Sequence, residues 1–178
     1  MAEISVLIPC RQHGHFLDDA LASVFAQTGA DLEAVVANDG STDNTEAVVR
    51  RWQRAFPDRV LTVNTGGIGQ ARARRRAADL ARGAYWITLD ADDRLEPAMA
   101  ETCRRVLARH PQAAAAAADV WMTDADGQRA IQVLKQRRWP GWPEVLDACP
   151  IGNWSSVLIR ADVARRVGGI GQIGRAHV

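Results

Sequence analysis

Short apolar runs alternate with amphipathic segments along most of this chain, and that alternation limits its fold more than any other feature. "ISVLIP" (4–9) is an apolar run stopped by proline, and "FLDDALASVFAQ" (16–27) sets Phe16, Leu17, Leu21, Val24 and Phe25 on one helical face. "LEAVVAND" (32–39) is a second strand ending on an acid. The helix that follows opens with Asp43 and Glu46 at capping-box spacing, although Asp stands where the motif has Ser or Thr. "VLTVN" (60–64) is a third strand, "GQARARRRAADLARG" a third helix closed by Gly83, and "YWITLD" a fourth strand. A βαβαβαβ order predicts an α/β fold, a mostly parallel central sheet with helices on both faces. Its crossovers are right-handed, and its ligands bind beyond the carboxyl ends of the strands.

Further along, a helix is expected from Pro97 to Leu107, begun by its proline. "AAAAAADVWM" (113–122) fits either strand or helix by pattern and is read here as strand. A stretch richer in Trp, Pro and Gly follows, and "VLIRADVARRVGG" returns to strand and helix. At 178 residues the chain fits one domain, expected over 1–172, large enough to bury a core without disulfides or structural metal. A net charge of +1 with 24% charged residues argues against disorder and against a nucleic-acid-coating surface. Of the 22 basic residues only Lys135 is a lysine, which reads as a codon bias with mostly solvated arginines. Cys10, Cys103 and Cys149 are too far apart for a CxxC site and point to a reducing compartment. No apolar run approaches the ~18 residues of a membrane span. The expected location is therefore the cytoplasm, with the inner face of the membrane as the alternative.

Three strand-to-helix junctions carry polar signals: "PCRQHGH", "NDGSTDNT" and "DADD". In a doubly wound sheet such strand ends are neighbours and converge on one crevice. The last junction packs Asp90, Asp92 and Asp93 into four positions. Acids that close repel one another and resist losing water unpaired, so a positive partner is expected. Oxygen ligands on a tight loop suit Mg²⁺ or Mn²⁺, with substrate phosphates completing the shell. The plain alternative is that Asp92 and Asp93 are solvated acids at a helix start upstream of Pro97.

"ISVLIP", "VVANDGSTDNT", "ARARRRAADLARGAYWITLDADD" and "SSVLIRADVARRVGG" together resemble the family 2 glycosyltransferases of the GT-A fold, over roughly residues 4–170. The resemblance implies a nucleotide-sugar donor, a divalent cation (Mg²⁺ or Mn²⁺), and transfer of the sugar with inversion to a hydroxyl of a saccharide or lipid-linked acceptor. By the same resemblance Pro9 and Arg11 match the loop that lines the nucleoside, and Asp39 the acid that contacts the base, typically uracil. Arg74 matches the arginine facing the diphosphate. Asp90 and Asp92 match the DxD pair, with Asp92 the direct metal ligand and Asp93 beside it. The family pattern has Asn and Gly near Arg75 and Ala77, which this sequence lacks, so the orientation of that helix is left open.

Each position also has a simpler reading. Asp39-Gly40 suits an Asx-turn, and Arg74 sits among Arg72, Arg75 and Arg76, as on a solvated face. His13 and His15 form an HxH with no third ligand nearby. Trp139, Trp142 and Trp154 suit core packing or a platform for an acceptor sugar.

An inverting transferase needs a base for the acceptor hydroxyl. The resemblance puts it downstream of a "GGFD" region. Here Ile170 and Gly171 stand where Phe and Asp are expected, so the base is expected beyond residue 171. Residues 173–178 back-translate in frame onto the start of a common sequencing adapter and are expected to be a non-native tail. The competing function is a truncated or degenerate nucleotide-sugar-binding domain without turnover. A dehydrogenase reading of the glycines Gly169, Gly171 and Gly174 fails for want of a following helix. A signalling receiver would want an acidic pair after the first strand, where Pro9, Cys10 and Arg11 stand.

Overall fold

The computed structural model describes residues 2–124, 130–134 and 153–169. The expected alternation is realised as β1 (Ile4–Cys10), α1 (Gly14–Phe25), β2 (Leu32–Asn38), α2 (Thr45–Ala55), β3 (Val60–Asn64), α3 (Gln70–Leu80) and β4 (Tyr85–Thr88). Helix α4 (Met99–Arg109), strands β5 (Ala115–Ala117), β6 (Val120–Thr123), β7 (Ala130–Leu134) and β8 (Val157–Arg160), and helix α5 (Ala161–Arg166) follow.

The main sheet runs β3-β2-β1-β4-β8-β5. Its first four strands are parallel, and β8 pairs antiparallel with both β4 and β5. Strands β1 and β2 are buried at every residue, as parallel strands covered on both faces must be. The pleat divides their side chains between two cores. Ile4, Val6 and Ile8 meet Leu17, Leu21 and Val24 of α1, Val48 of α2, and Cys103 and Leu107 of α4. Leu7, Val35 and Ala37 face α3 and α5 on the other side. The arginine-rich α3 buries only Ala73, Ala77 and Ala78, small residues that let its backbone lie near the sheet.

Two anchors settle the orientation of α3. Beyond its C-terminal end the fully buried Glu33 accepts hydrogen bonds from Ser5 Oγ (2.6 Å), Arg82 N (2.8 Å) and Arg82 Nε (2.7 Å), so this acid is paired and not stranded. At its N-terminal end it is held by the two acids described in the next subsection.

Several expectations are corrected. Phe16 is 39% exposed, because the buried stripe of α1 is Leu17, Ala20, Leu21 and Val24, and a neighbour of Leu17 lies ~100° around the helix. Phe16 packs against His15 instead, with ring centroids 4.0 Å apart and planes tilted by 44°. Asp43 precedes the N-cap residue Asn44 of α2, and Glu46 pairs with Arg50 (2.5 Å) in place of closing a capping box. Helix α4 starts at Met99, two residues after Pro97. The run 113–122 is two strands in two sheets: β5 pairs with β8 and β6 with β7. Trp154 is 38% exposed and so does not serve the core. Trp139, Trp142, Cys149, Ile170, Gly171 and the segment 173–178 lie outside the described residues. Among the described residues no helix is long and apolar enough to cross a membrane.

Candidate functional site

The carboxyl ends of β2, β1 and β4 stand side by side in the sheet, and the loops that leave them enclose a crevice of about 340 Å³. Pro9, Arg11, Asp39, Asp90 and Asp92 line it, five of the seven residues expected from sequence. Arg74 and Asp93 do not line it; each is bound to something else.

The loop after β1 is fixed by the loop after β2. Gln12 takes a left-handed backbone conformation (φ 59°), which costs a non-glycine residue about 1–3 kcal/mol. Hydrogen bonds offset that cost. Gln12 N donates to Ser41 Oγ (3.1 Å), Gln12 Oε1 accepts from Thr42 N (2.7 Å), and Gln12 Nε2 donates to Thr42 Oγ1 (2.9 Å). Asp43 completes the staple by accepting from Gly14 N (2.8 Å) and from Thr45 N and Oγ1 (3.1 and 2.5 Å). The bent loop presents Arg11 and His13 to the crevice.

Asp39 is 2% exposed, and its carboxylate is wrapped by the loop between β3 and α3. Oδ1 accepts from Thr65 Oγ1 (2.6 Å), Gly67 N (3.0 Å) and Ile68 N (2.7 Å), and Oδ2 from Gly69 N (2.8 Å). Positive φ at Gly66, Gly67 and Gly69 turns these amides inward. Burial pushes the Asp39 pKa up, but the Thr65 hydroxyl and the three amides outweigh it, and the carboxyl is held below its usual range. Asp39 is not an Asx-turn residue: the turn is closed by Asn38, whose Oδ1 accepts from Ser41 N (2.9 Å).

The three acids after β4 have separate surroundings. Asp90 Oδ1 accepts from Arg74 Nη2 (2.7 Å) and Gln70 Nε2 (2.9 Å). Burial raises its pKa, Arg74 opposes that, and the nearby Asp93 and Asp92 reinforce it. Arg74 is therefore not a solvated surface charge; its side chain is 13% exposed. Asp93 Oδ2 accepts from Ser155 Oγ (2.5 Å) and Asn153 Nδ2 (2.8 Å), on the short 3₁₀ turn that enters β8. Asp92 is exposed, lines the crevice, and has no hydrogen bond on its carboxylate among the described residues. None of these acids starts a helix, since α4 begins six residues beyond Asp93.

Sequence reasoning missed several crevice residues: Cys10, His13, Gly69 and Gln70. Gln70 had a readable signal, four residues before Arg74 and so on the same helical face. Cys10 is an inert neighbour, because burial pushes its thiol pKa up. His13 and His15 face edge to face at 6.3 Å, and among the described residues no third ligand joins them.

The donor set fits a hard divalent cation. Asp92 is open and, among the described residues, only one Asp90 carboxylate oxygen receives a hydrogen bond, a donor set that matches the one or two carboxylates Mg²⁺ ordinarily takes from protein. Among the described residues no group of three or more His, Cys, Asp or Glu side chains could hold a metal ion alone. A cation there needs further oxygens from a ligand.

A parallel four-strand core extended by the antiparallel β8 and then by β5, with acids from the ends of β2 and β4 on one crevice, is the GT-A architecture of nucleotide-diphospho-sugar transferases. The sequence model of "Glycosyl transferase family 2" matches residues 5–152, and the chain belongs to that family. It is 34% identical over 100 residues to the uncharacterized glycosyltransferase YibD of Escherichia coli K12, covering 56% of this chain and 29% of that protein. It is 38% identical over 101 residues to the chondroitin synthase of Pasteurella multocida, covering 56% of this chain and 10% of that protein. Thus the chain spans under a third of either relative. Among solved structures, the mannosyltransferase PcManGT of Pyrobaculum calidifontis, in complex with GDP-Man and Mn²⁺, aligns with a TM-score of 0.72 at 22% identity, covering 94% of this chain and 47% of that one. That likeness shows the fold.

Proposed function

We propose that the chain forms the donor-binding part of an inverting glycosyltransferase that moves a sugar from a nucleotide diphosphate, UDP first among the candidates, to an acceptor hydroxyl. The observation that carries this reading is the meeting of Asp39, Asp90 and Asp92 on one crevice, with Arg74 held against Asp90. Pro9 and Arg11 would flank the nucleoside.

UDP is favoured by the number of bonds left to Asp39. Each carboxylate oxygen has about two acceptor sites: Asp39 Oδ1 is filled by three donors, while Oδ2 receives one. One site remains on Oδ2, which suits the single imide N–H of uracil better than the two-donor edge of guanine.

Asp90 and Asp92 would hold Mg²⁺ or Mn²⁺ together with the diphosphate, and Arg74, bonded to Asp90, would share that charge. When bound, the cation supplies charge stabilisation to the departing diphosphate. In an inverting transfer the acceptor oxygen attacks the anomeric carbon opposite the leaving phosphate oxygen. The base that removes the hydroxyl proton is expected beyond residue 171, outside the described residues. A saccharide or lipid-linked acceptor is the corresponding partner.

The test is an assay of UDP release from UDP-sugars with Mn²⁺, run beside a binding titration. Release that increases with added acceptor is the expected result. Binding without release makes the chain a nucleotide-sugar-binding domain, and absence of both overturns the reading.

A further inference from the structure

Asp93 is adjacent in sequence to the open crevice acid Asp92, yet both hydrogen bonds on its carboxylate come from a turn about sixty residues away. Oδ2 accepts from Ser155 Oγ (2.5 Å) and from Asn153 Nδ2 (2.8 Å). The direction of the first bond is fixed by chemistry. Ser155 Oγ already accepts from Asp90 N (3.0 Å), and an amide N–H can only donate, so the hydroxyl proton goes to Asp93. The Asn153 side chain is fixed in the same way: its Oδ1 accepts from Ser155 N (2.8 Å), which leaves its NH₂ for Asp93. A further bond, Thr88 Oγ1 to Trp154 O (2.8 Å), ties the end of β4 to the same turn, and Ser155 is only 6% exposed. The 90–93 turn, closed by Asp93 N to Asp90 O (3.0 Å), is therefore braced from outside at both of its ends.

We infer that Asp93 is a positioning residue: through Ser155 it fixes the backbone at Asp90, and so the direction in which the Asp90 and Asp92 carboxylates enter the crevice, without touching the ligand. This rests on the donor-binding reading above. Groups that orient a metal ligand from behind are worth about 10–100-fold in affinity, whereas loss of a ligand itself removes binding. The brace also ties the turn that carries the exposed Trp154 to the loop that carries Asp92.

The experiment is calorimetric titration of Mn²⁺ into the chain with UDP present, and in a second series GDP, for wild type, Asp92→Asn, Asp93→Asn, Ser155→Ala and the Asp93→Asn/Ser155→Ala double variant. Thermal melts check that each variant folds, and Asn153→Ala with Ser155→Ala carries the test if Asp93→Asn does not. The expected result is no binding for Asp92→Asn, about 10–100-fold weaker binding for Asp93→Asn and for Ser155→Ala, and a double variant no weaker than the worse single one, because both act through one brace. Loss of binding in Asp93→Asn with wild-type affinity in Ser155→Ala would make Asp93 a direct ligand and overturn the inference. So would wild-type affinity in both, or fully additive losses. A wild-type chain that binds neither Mn²⁺–UDP nor Mn²⁺–GDP overturns the donor-binding reading, and this inference with it.

Discussion

Nη2 of Arg74 lies 2.7 Å from Oδ1 of Asp90, and that contact joins helix α3 to the loop after β4 at a residue of the crevice. Removing the guanidinium leaves a partly buried carboxylate beside two further acids without its positive partner. Arg74→Ala is expected to weaken Mn²⁺–UDP binding about 10–100-fold and to cost about 1–3 kcal/mol of stability. Arg74→Lys keeps the charge but loses the planar fork, and should recover stability more fully than affinity. Calorimetry and denaturant melts on the same samples check both halves.

Asp39 gives the chain a pH signature. Its folded pKa is lowered, so the stability it contributes is present above its ordinary value of 3.8 and is lost as pH falls through the lower folded value. Asp39→Asn should cost about 2–4 kcal/mol near neutrality, because an amide cannot accept from donors on both of its heavy atoms. Urea melts of both proteins from pH 7 to pH 2 are expected to converge below pH 4. A gap that stays constant would show that the carboxylate charge is not what holds the loop 65–69.

The open acid should behave in the opposite way. Asp92 lines the crevice with no hydrogen bond on its carboxylate among the described residues, so Asp92→Asn is expected to change stability by less than about 0.5 kcal/mol while removing Mn²⁺ binding. Equal losses in both measurements would show that Asp92 is structural.

Gly14 is required by close approach. A Cβ there would stand 2.5 Å from Thr45 N and 2.9 Å from Thr45 Cα, where the N-termini of α1 and α2 meet. Both contacts are to backbone, which cannot swing aside. Gly14→Ala is expected to cost about 1–3 kcal/mol and to loosen the Asp43 staple under Arg11. Thermal melts with calorimetry on one variant show whether the two losses occur together.

What could be read from the chain alone was whatever local pattern and strand order decide. The alternating elements follow from periodicity, and the convergence of the strand-end loops from the rule that ligands sit there. The choice of Pro9, Arg11, Asp39, Asp90 and Asp92 within those loops is what the resemblance to the family 2 glycosyltransferases implies. What was not legible depends on distant partners. The alanine run at 115–117 fits helix or strand by pattern and is a strand, as expected, but no local signal foretells that its partner is β8. Phe16 looks like core by residue type, but its angular position on α1 turns it to solvent. Asp93 looks like a third crevice acid until Asn153 and Ser155 are brought beside it. Asp39 and Arg74 are singled out by the family resemblance, but the glycine-loop cradle around one and the Asp90 pair of the other are tertiary facts.

Thermal melting with nucleotides tests the central claim most directly. With Mn²⁺ and UDP or a UDP-sugar at about 100 times Kd, linkage gives ~2.7 kcal/mol of stabilisation, or roughly 5–10 °C for a chain of this size. The account predicts that rise for the wild type, a smaller one for GDP, and none for Asp92→Asn or without the metal. A melting temperature unmoved by Mn²⁺ with any nucleotide-sugar would contradict it.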